Sequence, residues 1–214
     1  MKKETIAVLQ NFASINSGML FRQGNVVRTL SVARTVFASA VVEEAFPREF
    51  AIYDLPEFLN TLAMFKEPVV EFTDAYIKVT GETTTVKYHY SSTNVVVAPP
   101  DKNPSFKGDP TLAFRLTSAM LAGIEKASAV LRLKDVRFDG ENGEIVVFNR
   151  DHTGNEYKIE LKDHVGQGSA LLSVGNLKML PDDYDVRVDE VSAHFASPNG
   201  SDLTYVVVRE KEGD

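Results

Sequence analysis

One arrangement occurs twice in this chain and constrains it more than anything else: a strand-like run, a short segment with helix-start signals, then three β-patterned runs. The first copy opens at 49–53 and passes into AIYDLPEFLNTLAMFK (51–66). There Asp54 is placed to cap a helix, with Glu57 three residues on reaching back, and Tyr53 and Phe58 are placed to close a hydrophobic staple around it. Pro56 falls in the first turn, where its missing N–H is not needed, and Leu55, Phe58, Leu59, Leu62 and Phe65 recur at helical spacing. Runs at 69–72, 76–80 and 84–90 read as strands. The second copy begins at 170–172, enters SVGNLKML with Ser173 as the expected cap, and continues at 184–188, 193–196 and 203–209. A unit used twice predicts duplicated halves.

At 214 residues the chain accommodates two domains of ordinary size. The expected division is a first domain over 1–94, a connector over 95–110 and a second domain over 111–214. The connector region 91–110 contains four prolines, which prevent a continuous helix or central strand. With no cysteine, disulfides, thiolate metal sites and a cysteine nucleophile are excluded. The opening MKKETIAVLQNF is too short and interrupted for a signal peptide, and no window approaches a membrane span, so an intracellular-type soluble protein is expected. Net charge is −7 and unevenly divided: 10 Lys+Arg and 11 Asp+Glu lie before Lys107, 13 and 19 from there on. A surface of this sign repels phosphate, so DNA contact requires a segregated basic face.

The rest of the pattern is consistent with two similar halves. Residues 3–12 read as a helix with Val8, Leu9 and Phe12 inward, Thr5 at the margin, and Lys3, Ala7 and Gln10 on the open side. Short strands are expected at 19–22, 26–30 and 36–42, with a turn at 23–25. In the second half a strand at 112–116 precedes a longer helix capped by Thr117 or Ser118. Met120, Leu121, Ile124, Ala127 and Leu131 form its apolar side; Ala122, Glu125, Lys126, Ala129 and Arg132 lie on or beside the other. Strands at 136–138, 145–149 and 157–161 then lead to the second copy of the repeat. The class predicted is α+β, with two amphipathic helices per domain backed by antiparallel sheet.

Catalytic signals do not assemble. His89, His152, His164 and His194 share no ligand spacing. The glycine-rich stretch 166–169 precedes a strand rather than joining a strand to a helix, so it lacks the context of a phosphate loop. Asp151, His152 and Ser169 could be imagined as a hydrolase triad, but no nucleophile elbow accompanies them.

Five stretches in order, LQNFASINSGMLF (9–21), AIYDLPEFL (51–59), VVVAP (95–99), NLKMLPDDY (176–184) and YVVV (205–208), resemble the DNA polymerase sliding clamps of T-even-type bacteriophages. The resemblance runs along nearly the whole chain and is weakest over 91–118 and 132–168. It implies two domains of the DNA-clamp type in a ring of three subunits, with helices lining the hole. It also implies a non-enzymatic role without cofactor or metal: encircling duplex DNA without sequence specificity and tethering a replicative polymerase. An ATP-driven loader and transcription activators are the further partners implied, in the cytoplasm of an infected bacterial host, with no membrane. The chain departs from the family at Gln10, where a lysine is expected, and pairs Lys126 with Glu125. Competing readings are a phage structural or scaffolding protein, to which featureless polar helix faces would suit equally well, and a small hydrolase.

Three groups of residues follow as candidates. Lys2, Lys3, Gln10, Lys66, Lys126, Arg132 and Lys178 are expected to face DNA. Val96, Val97, Pro99, Pro100 and Phe106 are expected to wall a partner-peptide groove, with Tyr205 and Val207 as its floor. Val86, Tyr88 and Tyr90 on one edge strand are expected to meet Tyr157 and Ile159 of another subunit.

Overall fold

The computed structural model describes residues 1–151, 154–199 and 202–211. The chain divides into two compact units, Met1–Asp101 and Lys102–Asp214.

The first unit begins with α1 (Lys3–Ile15), which buries Thr5, Leu9, Phe12 and Ile15. It runs a turn beyond the predicted end. Asn16 stops it in extended conformation, its side chain accepting from the Gly18 N–H at 3.0 Å and donating to the Leu30 carbonyl at 2.9 Å. Strand β1 (Met19–Phe21) pairs with β4 (Phe50–Ile52), and β2 (Gly24–Leu30) pairs with β3 (Val36–Phe46), all antiparallel. Gly24 was expected in a turn; it opens β2 instead, at a bulge that shifts the register before Val26.

Helix α2 (Leu55–Ala63) starts where the sequence places it, with Glu57 N–H donating to Asp54 Oδ1 at 2.9 Å. Leu55, Phe58, Leu59 and Leu62 are buried; Phe65 lies beyond the helix. The predicted staple is different. Tyr53 is 65% exposed, and Phe58 packs edge-on to Tyr88 at 5.2 Å. A long-range aromatic thus supplies the contact expected from a local one. Strands β5 (Val69–Phe72), β6 (Tyr76–Thr80) and β7 (Thr85–His89) form an antiparallel sheet in that order. Phe21 and Phe50, both buried, stack at 4.7 Å.

In the second unit β8 (Leu112–Leu116) leads to α3 (Ser118–Leu131). Thr117 is the cap, its hydroxyl accepting from the Met120 N–H at 3.2 Å, while the Ser118 N–H is taken by Asp183 Oδ1 at 2.8 Å. Leu121, Ile124 and Ala127 are buried, whereas Met120 and Leu131 are half-buried. Strands β9 (Asp135–Asp139), β10 (Glu144–Phe148), β11 (Tyr157–Glu160), β12 (His164–Val165) and β13 (Ser169–Ser173) follow. Then come β14 (Tyr184–Val188), β15 (Ser192–Ala196) and β16 (Thr204–Val208). One antiparallel sheet runs β11-β10-β9-β13; in another, β12, β8, β14, β15 and β16 are neighbours in that order. Phe114, Phe138, Phe195, Tyr184 and Tyr205 form a chain of edge-on rings between them.

The second copy of the short helix is reduced. SVGNLKML forms a three-residue 3-10 turn, Val174–Asn176, and the Ser173 side chain makes no capping bond. Gly175 lowers helix propensity in the middle of the segment and Pro181 follows closely, so apolar spacing alone does not sustain a helix there. The second unit therefore has one α-helix among its described residues rather than two.

The glycine-rich loop is a packing device. A Cβ on Gly166 would lie 2.2 Å from the Thr111 carbonyl oxygen, one on Gly168 2.5 Å from Thr111 Oγ1, and one on Gly140 2.6 Å from the Gly166 oxygen. Three backbone segments meet where no side chain fits, and Gly166 holds φ +92°.

Candidate functional site

The candidate DNA-facing side chains Lys2, Lys3, Gln10, Lys66, Lys126, Arg132 and Lys178 are all exposed. Lys3 and Gln10 lie on the open side of α1, and Lys126 on that of α3 among Ala122, Glu125 and Ala129. Arg132 ends α3 in the left-handed conformation at φ +57°, its N–H returning to the Ser128 carbonyl. Lys2 has an acidic neighbour, with Nζ 3.6 Å from Glu43 Oε2. These cations are spread over two units and do not form one dense patch on either helix.

The candidate groove residues fall apart into two groups. Val96 packs against the backbone at Gly18, where an added Cβ would come within 3.1 Å of Val96 Cγ1. Val97 is half-buried, Pro100 is exposed, and Pro99 is buried with its carbonyl accepting from Arg22 Nη2 at 3.0 Å; Arg22 also pairs with Asp101 at 2.9 Å. These four belong to the first unit. Phe106, Tyr205 and Val207 belong to the second, and the two strand residues turn the wrong way for a floor. Tyr205 and Val207 are both 0% exposed in the core, Tyr205 against Tyr184 at 5.8 Å and accepting from the Leu180 N–H at 3.2 Å. Side chains alternate along a strand, so it is Thr204 and Val206 that reach the other face.

A cavity of about 310 Å³ does lie on that face, entirely within the second unit. Asn103, Pro104 and Phe106 line it from the connector, and Asp185, Arg187, His194, Ala196, Thr204 and Val206 from β14, β15 and β16, where the fully buried Phe195 and Tyr205 also border it. Strand pairing sets these residues side by side: Asp185 opposite Ala196, Arg187 opposite His194, His194 opposite Val206. The Phe106 ring meets His194 edge-on at 4.9 Å, and Asn103 Nδ2 donates to Thr204 Oγ1 at 3.5 Å. Asp185 is neutralised by Arg115 at 3.2 Å, while Arg187 has no ion-pair partner among the described residues. The sequence contains the signal for this face: in LTYVVV the polar Thr204 marks the outward register, and Leu203, Tyr205 and Val207 the inward one.

His194 does not build a catalytic relay with its neighbours. Its Nε2 lies 3.0 Å from Ser192 Oγ and 3.6 Å from Asp189 Oδ2, so hydroxyl and carboxylate face the same nitrogen. Burial lowers its pKa, against a smaller opposing pull from Asp189, which favours the neutral ring. Asp189 Oδ1 is already engaged by the N–H groups of Val191 and Ser192 and by the Ser192 hydroxyl. His164 is equally structural, its ring nitrogens each 3.0 Å from a backbone carbonyl, of Leu161 and of Gly140. Of the imagined triad, His152 lies outside the described residues. No metal-binding cluster occurs among the described residues, and no helix there is long and apolar enough to cross a membrane.

The candidate edge residues are on edges. Among the described residues β7 and β11 each end a sheet and are paired on one side only. Val86, Tyr88 and Tyr90 are half-buried, with the Tyr90 hydroxyl donating to the Thr73 carbonyl at 3.1 Å. Burial, reinforced by Glu57, pushes the Tyr88 hydroxyl up to about 12. On β11, Ile159 is half-buried and Tyr157 lies over α3, its hydroxyl 3.0 Å from where a Gly123 Cβ would be.

The family model described as DNA polymerase processivity factor matches residues 2–98. The sliding clamp of Vibrio phage KVP40 is 36% identical over 149 residues, 69% of this chain and 67% of that protein. The sliding clamp of Escherichia phage RB69 is 28% identical over 226 aligned positions, covering 99% and 97%. Among solved structures, A. fulgidus PCNA bound to the C-terminal region of FEN-1 superposes with TM-score 0.71 at 13% identity, over 98% of this chain and 96% of that one. The DNA polymerase III subunit beta of Pseudomonas aeruginosa gives 0.65 at 11% identity, over 98% and 63%. Two α+β units of antiparallel sheet and few helices, superposing on these structures over nearly the whole of this chain, have the DNA-clamp fold. The chain belongs to the sliding-clamp family of the T-even-type bacteriophages, the polymerase processivity factors.

Proposed function

We propose that this protein is a non-enzymatic sliding clamp that encircles duplex DNA and tethers a replicative polymerase for processive synthesis. The observation that carries this is the match to phage sliding clamps along 99% of the chain. The charge agrees with it. A ring holds DNA by enclosure, so a net charge of −7 is tolerated, and a few lysines on the helix faces suffice to centre a duplex without reading its sequence.

In this reading three copies associate head to tail, the β7 edge of one subunit meeting the β11 edge of the next. Two unlike edges are what a closing heterologous contact needs. Polymerase is held through a short peptide with apolar anchors in the cavity beneath Phe106, where a few buried contacts supply most of the energy. An ATP-driven loader opens the ring, transcription activators are further users of the same surface, and the site of action is the cytoplasm of an infected bacterium.

The experiment is retention on nicked circular DNA after loading. A topological tether stays on the circle and escapes when it is cut to a linear form. Loss from both at equal rate would leave only a weak electrostatic binder, and the scaffolding reading would take its place.

A further inference from the structure

Both edge strands carry a charge conflict with their own sheet, and the two conflicts have opposite sign. On β7, Lys87 lies directly opposite Lys78 of β6. Lys78 is satisfied by Glu71, its opposite number on β5, at 2.9 Å. Lys87 is left with the Tyr76 ring, 5.1 Å from its Nζ, and has no carboxylate partner among the described residues. On β11, Glu160 lies directly opposite Glu144 of β10. Glu144 is satisfied by Lys158 at 3.1 Å, and Glu160 has no cationic partner among the described residues. Like charges directly opposite in an antiparallel pair are destabilising. Each edge is therefore poised to gain from a neighbouring strand of the other kind.

We infer that the subunit interface of the proposed ring is set in one register, with Lys87 of one copy directly opposite Glu160 of the next. The inference rests on the ring reading and specifies its contact. Antiparallel pairing in that register places Tyr88 against Ile159, Tyr90 against Tyr157 and His89 against Lys158. The half-buried sides of both strands then share one face and the exposed sides the other, as burial along β7 and β11 requires. A slip by one residue turns apolar side chains onto the polar face. A slip by two preserves the faces and lengthens the overlap, but sets Lys87 against Lys158 and leaves Glu160 unmatched. Charge, not apolar contact, separates these two alternatives.

The chain has no cysteine, so paired cysteines can read the register directly. Two double variants of the full chain, Tyr88→Cys with Ile159→Cys and Tyr88→Cys with Tyr157→Cys, are oxidised and run without reductant. The inference expects covalent dimers and trimers from the first and several-fold fewer from the second. The reverse preference overturns it.

Charge reversal supplies the second arm, read by sedimentation at several concentrations. Lys87→Glu and Glu160→Lys singly are each expected to weaken association about fivefold per contact, and the double reversal to restore it. Single reversals that leave association unchanged also overturn the register. A wild-type chain that remains monomeric well above micromolar concentration overturns the ring itself, a result distinct from a ring that forms with the wrong cross-link.

Discussion

The hydroxyl of Tyr88, on edge strand β7, donates to the carbonyl of Asp54, the residue that caps α2, at 3.0 Å. The edge proposed to meet a neighbouring subunit and the start of a helix proposed to face DNA are thereby one mechanical unit. Removing the hydroxyl in Tyr88→Phe should cost about 1 kcal/mol in stability. The pH dependence gives a sharper test. Burial and Glu57 raise the Tyr88 pKa from 10.0 to about 12, so the folded state favours the neutral phenol. Its contribution is complete below the unfolded pKa and disappears as pH rises from about 10 to about 12. Denaturant titrations across that window should lose stability more steeply for wild type than for Tyr88→Phe.

Truncation in the last strand separates groove from core. Tyr205→Ala removes a fully buried ring and should destabilise the second unit by about 3–5 kcal/mol, so lost peptide binding in that variant would report unfolding. Phe106→Ala leaves the core alone and removes one wall. If Phe106 is an anchor contact, a polymerase C-terminal peptide should bind about 2 kcal/mol more weakly, with unchanged thermal unfolding. Fluorescence anisotropy beside a melting curve decides between them, and unaltered affinity would move the groove elsewhere.

Reversal of the candidate DNA-facing cations tests the proposed hole. Changing Lys2, Lys3, Lys66, Lys126, Arg132 and Lys178 together to glutamate should abolish loading onto DNA while subunit association, measured by sedimentation, persists. Processive synthesis that survived the change would show that these faces do not meet the duplex.

Asp189 predicts an acid-sensitive second unit. Burial alone would raise its pKa, but the N–H groups of Val191, Ser192 and Lys107 and the Ser192 hydroxyl together hold it below the ordinary carboxylate value. A depressed pKa stabilises above the unfolded value and the contribution is lost as pH falls through the folded one. Asp189→Asn should cost about 1–3 kcal/mol at neutral pH, and the gap to wild type should narrow on acidification. Unfolding curves at neutral pH and near pH 3 measure it.

Local chemistry was legible in the sequence wherever a short-range rule decided the outcome. Asp54 and Thr117 cap helices as their side-chain oxygens dictate, and the apolar faces of α2 and α3 follow helical spacing. The unit order and the two sheet edges followed from runs of alternating residues. What escaped depended on distance through the fold. Tyr53 lost its place against Phe58 to Tyr88, thirty residues further along Phe58's own chain direction, because a sheet packs on that helix. The register of β16 hung on one polar residue, Thr204, in a run of apolar ones. The valines at 95–97 read as one continuous wall with Phe106, but Arg22 and Gly18 hold the stretch 96–99 to the first unit.

The unsatisfied lysine on β7 and glutamate on β11 also bear on which way a subunit faces. Two β7 edges pairing symmetrically about Lys87 would bring Lys87 against Lys87, and two β11 edges about Glu160 would bring Glu160 against Glu160; the polar, nose-to-tail contact instead sets the lysine against the glutamate. In the proposed ring every subunit then enters with the same side up. Such a ring has unlike front and back faces, each partner groove stands in the same relation to them, and a polymerase tethered there would meet the DNA from a single direction.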